Sequence, residues 1–194
     1  MANPEAGDGS TDPRVQRSRQ RLHAALVALI LERGWDRVTV HAVCRRARVG
    51  RSTFYVHFAD KEDLLIGGLD HVRDELRRQL RATRGPRPAF GFVRGLIRHA
   101  DASRRLFRAV IGKRSGLAVQ RRFREVVLAL MHDELHDRAI ASPDRNAVAR
   151  FLAGAFVELL IGWVDGQSDA SAGELEHQFV RLATPVVDAV ASAR

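Results

Sequence analysis

Residues 39–61 read TVHAVCRRARVGRSTFYVHFADK, and the spacing of their apolar side chains decides the fold. Thr39 is a good N-cap residue, because its hydroxyl oxygen can accept from a free amide of the turn that follows. Val40, Val43 and Ala47 then recur at helical spacing. Arg48-Val49-Gly50 breaks the periodicity, and Gly50 is expected to take the left-handed turn. A second short helix is expected over 51–57. Two short helices joined by a turn of about three residues make the geometry in which one helix is braced by another across a DNA groove. Val40, Val43, Ala47, Val49, Phe54 and Phe58 form the small core that fixes their crossing, and Ala47 is small because the helices approach closely there. Arg51, Ser52, Thr53, Tyr55 and His57 avoid that core. They face outward as a mixture of base-edge and phosphate donors, and Arg48 in the turn joins them. Lys61 stands in the first turn of the next helix, where a cation opposes the helix dipole. With the free amides of that turn, it would suit a phosphate.

Upstream, Val15, Leu22, Leu26, Leu29 and Ile30 keep helical spacing over 14–33, Gly34 ends that helix, and Trp35 and Val38 supply apolar plugs. Downstream, Asp60 is placed to cap a long helix to Arg81, with Leu65, Leu69, Val72, Leu76 and Leu80 in one stripe. Gly85-Pro86-Arg87-Pro88 breaks the chain, two shorter helices are expected over 89–99 and 101–111, and residues 112–116 form a loop. A longer helix covers 117–138. Ser142-Pro143 reads as an N-cap with proline at the first helical position, opening a helix to 165 that is apolar on much of its surface. Ser171-x-x-Glu174 is a capping box before the last helix, 172–192. No window alternates as a strand does. The expected fold is all-α with about nine helices. A disordered tail covers 1–13, a three-helix helix-turn-helix domain 14–60, and a larger helical effector and dimerisation domain 61–194.

The charge points the same way. The chain of 194 residues carries a net charge of +9. Eleven arginines and lysines between Arg14 and Lys61 face three acids, which puts +8 in that stretch. Such a concentration is the electrostatic footprint of a polyanion. No apolar run reaches the roughly 18 residues of a membrane span. The acidic start is not a secretory signal, and a lone cysteine, Cys44, fits a reducing cytoplasm. No nucleophile–base pair, phosphate-binding glycine loop or metal quartet is in a recognisable frame, so an enzyme is not expected, nor a cofactor. His132 and His136 are spaced to share a helix face, but no third ligand is evident and no metal is expected. Cys44, followed by Arg45 and Arg46, reads as a small core residue before it reads as a redox switch.

The run Gly34-Trp35-Asp36-x-Val38-Thr39-Val40, followed by Ala47-x-Val49-x-Arg51-Ser52-Thr53-Phe54-Tyr55-x-His57-Phe58-x-Asp60-Lys61-x-x-Leu64-Leu65, resembles the N-terminal domain of tetracycline-repressor-type (TetR family) regulators. The likeness covers about residues 17–66; Cys44-Arg45-Arg46 departs from it by adding charge where small apolar residues are common. The resemblance implies a homodimer whose C-terminal domain binds a small effector and releases DNA. It also implies phosphate contacts from Thr39, Tyr55, His57 and Lys61, and base-edge contacts from Arg51, Ser52 and Thr53. The implied cavity would draw on Leu76, Phe90, Phe107, Phe123, Met131 and Phe151, whose apolar character suits a hydrophobic effector. The apolar excess of the last two helices suggests that they pair between protomers as a four-helix bundle. The residues expected at that contact are Phe156, Leu160, Trp163, Leu175, Phe179, Leu182 and Val186. The expectation is a ligand-responsive repressor on a near-palindromic double-stranded operator. The alternative is a DNA-binding regulator without an effector. A purely architectural binder would not need so large an apolar C-terminal body.

Overall fold

The computed structural model describes residues 13–82, 89–112, 117–136 and 142–192, without the side chains of 142 and 143. Among the described residues there are nine α-helices and no strand: α1 (Pro13–Arg33), α2 (Val40–Ala47), α3 (Arg51–His57), α4 (Lys61–Ala82), α5 (Gly91–Ala102), α6 (Arg104–Ile111), α7 (Leu117–His136), α8 (Ser142–Val164) and α9 (Ala172–Ser192). They divide into two compact units, one ending at Leu65 and the other beginning at Ile66. The division falls inside α4, five residues after the boundary read from the sequence. Pro13, the last residue of the expected tail, opens α1, whereas residues 1–12, the Gly-Pro break at 85–88, most of the 112–116 loop and the Ser142 N-cap lie outside the described residues and side chains.

In the first unit, α1 buries Leu22, Ala25, Leu26, Leu29 and Ile30, one stripe of an amphipathic helix. Gly34, at φ 78°, ends it, and its amide donates to the Ile30 carbonyl at 2.8 Å. A 3-10 turn over Trp35–Arg37 then buries Trp35, with Val38 behind it. Thr39 caps α2: its Oγ1 accepts from the Ala42 amide at 3.2 Å.

The left-handed residue between α2 and α3 is Arg48 (φ 53°, ψ 46°), not Gly50, which is extended at φ −62°. The helix end dictates this. The Arg48 amide donates to the Arg45 carbonyl and the Val49 amide to the Cys44 carbonyl, at 3.3 and 3.1 Å. These two bonds form a Schellman motif, which requires the left-handed conformation at the first residue past the helix. Gly50 serves instead as the N-cap position of α3.

The second unit is built around α8. Val148, Ala149, Leu152, Ala153, Phe156, Val157, Leu160, Ile161, Trp163 and Val164 are all buried. The stretch Asp144–Val164 is long and apolar enough to cross a membrane by length and composition, with a mean hydropathy of 1.8 over its most apolar 18 residues, of which 56% are buried inside the protein. This differs from the expectation of no such run, because charged residues such as Arg150 and Glu158 interrupt the stretch in sequence without lowering its average hydropathy below that of a span. α7 packs along α8, and α5, α6 and α9 close around them. Rings from three elements form a chain: Phe90 on Phe179 (5.5 Å between centroids), Phe179 on Phe156 (5.1 Å) and Phe156 on Phe92 (6.2 Å). Edge-to-face pairs of this kind contribute about 0.5–1.5 kcal/mol beyond their area.

Helix ends are finished by side chains. The Ser171–Glu174 capping box forms as expected: the Ser171 amide donates to Glu174 Oε2 at 2.7 Å, and the Glu174 amide to Ser171 Oγ at 3.2 Å. The hydrogen bond from the Ser171 amide holds the Glu174 carboxyl below its ordinary range. The C-terminus of α8 has no basic residue in its last turn. α6 supplies two instead: Arg104 donates to the Trp163 carbonyl and lies 4.2 Å over its ring, and Arg108 Nε donates to the Val164 carbonyl at 2.7 Å.

Leu76 of α4 sits directly over Gly95 of α5; a Cβ at position 95 would lie 2.4 Å from Leu76 Cδ2. Leu76 is buried and has little room to yield. Gly95→Ala is therefore expected to lower stability by about 1–3 kcal/mol despite its better helix propensity. The check is the urea midpoint at unchanged m-value; an unchanged or higher midpoint would show that Leu76 can rotate away.

Candidate nucleic-acid interface

α3 is a seven-residue helix pinned through one face. Phe54 is fully buried, and its ring meets Phe58 at 5.8 Å and Tyr55 edge-on at 5.3 Å. With α3 fixed through Phe54, Arg51 and Ser52 are exposed, Tyr55 is 52% exposed, and Thr53 and His57 are half-buried. Thr39 and Arg48 are exposed at the start of α2 and in the turn. The predicted DNA-contact residues on α3 and in the turn thus share one small region of the first unit. Val56, between Tyr55 and His57, was not among them, yet it is 76% exposed. The signal that would have found it is simple helix arithmetic from the buried Phe54.

Lys61 is held. Its Nζ donates to the Trp35 carbonyl at 3.1 Å and lies 4.4 Å from the Trp35 ring centroid. The ring face and the carbonyl offset the unfavourable dipole position noted from the sequence. The ammonium keeps further donor capacity, since it carries three protons. The amides beside it are less open than expected. Asp60 Oδ1 accepts from the Asp63 amide at 2.7 Å, and Asp63 Oδ2 accepts from the Ala59 amide at 2.9 Å. Of the first-turn amides of α4, that of Asp63 is thus taken by the Asp60 carboxylate.

The charge of this unit is set at its surface. Arg46 pairs with Glu32 at 2.7 Å, and Arg19 lies 5.4 Å over the Phe58 ring. Cys44 is buried. Burial pushes its thiol up, against the lowering field of Arg51. Arg45 and Arg46 are exposed. Cys44 has the environment of a core residue.

In the second unit, Leu76, Phe90, Phe107, Phe123 and Met131 are buried, as a pocket lining would require. Their rings are in contact with other rings: Phe107 meets Phe123 at 6.2 Å and Phe90 meets Phe179. Phe151 is a correction, because it is 62% exposed and belongs to the outer surface. The contact residues expected between protomers also need correcting. Phe156, Leu160, Trp163, Leu175 and Phe179 are buried inside the protomer, whereas Leu182 is 52% exposed and Val186 half-buried. α8 is apolar on two sides. One side, through Leu152, Phe156, Leu160 and Trp163, fills the core. The other carries Phe151, Ala155 and Leu159 outward. Two ion pairs tie α4 to α7, Asp70 with Arg122 at 2.8 Å and Arg77 with Asp133 at 2.6 Å. Hydrogen bonding to Glu125 and the field of Asp70 hold Arg122 firmly in its charged form. Among the described residues, no group of three or more side chains suited to a metal includes His132 and His136.

Two family models match the chain. Residues 22–67 match one described as "Bacterial regulatory proteins, tetR family", and residues 90–185 match one described as "Transcriptional regulator C-terminal region". A curated relative, the HTH-type transcriptional regulator HbdR of Aromatoleum sp. (strain CIB), is 32% identical over 71 residues. That match spans 36% of this chain and 31% of the relative, so the chain aligns with about a third of that protein's length. Among solved structures, a TetR transcriptional regulator from Streptococcus agalactiae 2603V superposes with a TM-score of 0.66 at 22% identity, over 90% of this chain and 97% of the other. NalD of Pseudomonas aeruginosa, described as the secondary repressor of the MexAB-OprM multidrug efflux pump, gives 0.61 at 18% identity, over 89% and 96%. These likenesses establish a shared fold.

The Lys61 geometry can be tested without DNA. Lys61→Met keeps the aliphatic stem and removes the ammonium from Trp35. It is expected to destabilise the protein by about 0.5–1 kcal/mol, the usual size of a cation–π contact at a partly exposed site. Thermal melting at fixed pH checks this, and no shift would mean that Trp35 does not hold the charge.

Proposed function

The chain belongs to the TetR family of DNA-binding transcriptional regulators, and on that premise we propose that it is a ligand-responsive repressor that binds a near-palindromic operator as a homodimer. The observation that carries the reading is the surface of α3: a short helix buried through Phe54 alone, with Arg51, Ser52 and Tyr55 exposed beside the exposed Arg48. In this reading α3 enters the major groove. Arg51, Ser52 and Thr53 meet base edges, and Thr39, Arg48, Tyr55, His57 and Lys61 meet phosphates. Trp35, by holding Lys61, sets the direction from which that charge reaches the backbone.

The second copy follows from the outer faces of α8 and α9. Phe151, Ala155 and Leu159 on α8, with Leu182, Val186 and Val190 on α9, leave apolar surface exposed or half-exposed after the protomer core is complete. Gly154 and Ala155, both exposed, permit close helix approach. An isologous contact through these faces forms a four-helix bundle and matches the twofold symmetry of a palindrome. Phe151→Glu and Leu182→Glu, both surface changes in the protomer, are each expected to shift the protein toward a folded monomer at micromolar concentration in light scattering. If both variants remain dimeric, another surface joins the copies.

The switch is assigned to α4, which both units share. Two recognition helices must stand about 34–36 Å apart to enter successive major grooves. An effector that prefers a different spacing opposes DNA by the same coupling free energy with which DNA opposes the effector. Phe107 of α6 and Phe123 and Met131 of α7 are buried apolar side chains that such an effector would have to reach, and α7 is tied to α4 by Asp70–Arg122 and Arg77–Asp133. The expected effector is hydrophobic or aromatic. The mutual packing of those rings also favours the second reading, a regulator with no small-molecule effector.

The discriminating experiment selects an operator from random duplexes, then measures affinity across salt with and without any apolar compound that raises the melting temperature. Lys61→Ala should weaken binding to all sequences alike and shallow the salt slope by about one, whereas Arg51→Ala should relax sequence preference. A stabilising compound that leaves operator affinity unchanged would support the effector-free reading.

A further inference from the structure

Val56 is the most exposed large apolar side chain of the described first unit, at 76%, ahead of Tyr55 at 52% and Leu31 at 40%. A single exposed valine is ordinary on a protein surface. What distinguishes this one is its place. α3 is anchored by Phe54, which is fully buried. At 3.6 residues per turn, the positions two before and two after Phe54 point roughly 160° away from it. Those positions are Ser52 and Val56, one turn apart on the same ridge, and both are exposed. Arg51 and Tyr55 flank the ridge on one side, and Thr53 and His57, both half-buried, on the other. The centre line of the face that α3 presents is therefore one hydroxyl and one isopropyl group, with the charged and aromatic groups to its sides.

An isopropyl group has no donor or acceptor, so it cannot read the hydrogen-bonding pattern of a base edge. The one apolar group that an unmodified base pair displays in the major groove is the C5-methyl of thymine. We propose that Val56 is a specificity-determining residue that packs on a thymine C5-methyl in each operator half-site. The assignment rests on the reading of α3 as the helix in the major groove. A cytosine in that place would set its N4 amino donor against a group that cannot accept, while the methyl contact would be lost. Both effects favour thymine. Burying one methyl-sized group contributes ~0.8 kcal/mol, which is about fourfold in affinity per half-site. No charge is involved, so the preference is independent of salt, unlike the contacts of Arg51 and Lys61.

The test uses the full-length protein and an operator selected by the wild type from randomised duplexes. Each thymine is replaced singly by deoxyuridine, which deletes only the methyl. Wild type is expected to lose about fourfold in affinity at one thymine in each half-site, with the salt slope unchanged. Restoring a methyl at that place as 5-methylcytosine, paired with guanine, should bind better than plain cytosine. Val56→Ala, a change at an exposed position to a better helix former, should be indifferent to the deoxyuridine substitution there and keep its sensitivity elsewhere. If the selected operator binds but no thymine shows a methyl effect that Val56→Ala abolishes, the assignment is overturned and the placement of α3 in the groove survives. If no sequence is enriched at all, the operator reading fails and takes this assignment with it.

Discussion

A helix of seven residues does not hold itself together in water, because nucleation costs more than so few hydrogen bonds return. α3 exists because Phe54 is buried in the small core of the first unit, and that single anchor fixes which side chains face outward. Its supports are equally local. The Schellman bonds at the end of α2 turn the chain through Arg48, a conformation that costs an L-residue roughly 1–2 kcal/mol. That arginine occupies the position where glycine would be cheapest puts a cation at the exposed corner beside α3. Local strain and surface charge thus meet at one residue.

Most helices of both units were legible because each had a distinct apolar stripe and a recognisable end. α1, α2, α3 and α9 fall within a residue or so of the expected bounds, and the Thr39 cap and the Ser171–Glu174 box formed as their chemistry requires. The errors have separate causes. α8 is apolar on two sides, so its periodicity says little about which side faces the core. Phe151 and Phe156 look alike in sequence; in the structure one is on the surface and the other is in the core. Gly50 attracted the left-handed assignment because glycine tolerates it best, whereas the helix end imposed it on Arg48. The Lys61–Trp35 contact joins residues 26 apart, and no local pattern predicts it.

Charge counted along the sequence treats every arginine as available to a partner. The second unit shows why that overstates the case. Arg77, Arg94 and Arg122 pair with Asp133, Glu176 and Asp70, while Arg104 and Arg108 satisfy the last carbonyls of α8. These guanidiniums replace the basic residues that α8 lacks in its own last turn, and they link α6 to the end of the core helix. In the first unit, by contrast, Arg48 and Arg51 stand exposed on the turn and the helix that the fold projects outward. The basic character that matters for a polyanion is local.

The same packing sets a condition on any effector. Phe107 and Phe123 already meet edge-to-face, and Phe90 meets Phe179. A ligand among them must replace ring–ring contacts that are themselves favourable, so its affinity carries the cost of separating them. That cost is not idle. A ligand shifts an equilibrium only by its differential affinity for two states, and a core closed without ligand and opened with it supplies such a difference. α7 contributes Phe123 to these rings and Arg122 and Asp133 to the pairs with α4. Adjacent residues of one helix thus face the aromatic core and hold the helix shared by both units. A displacement of α7 of even part of an ångström would be felt at Asp70 and Arg77, because packed interiors transmit strain rather than absorb it. On the proposed reading, a closed aromatic core is the resting state from which such a switch would have to work.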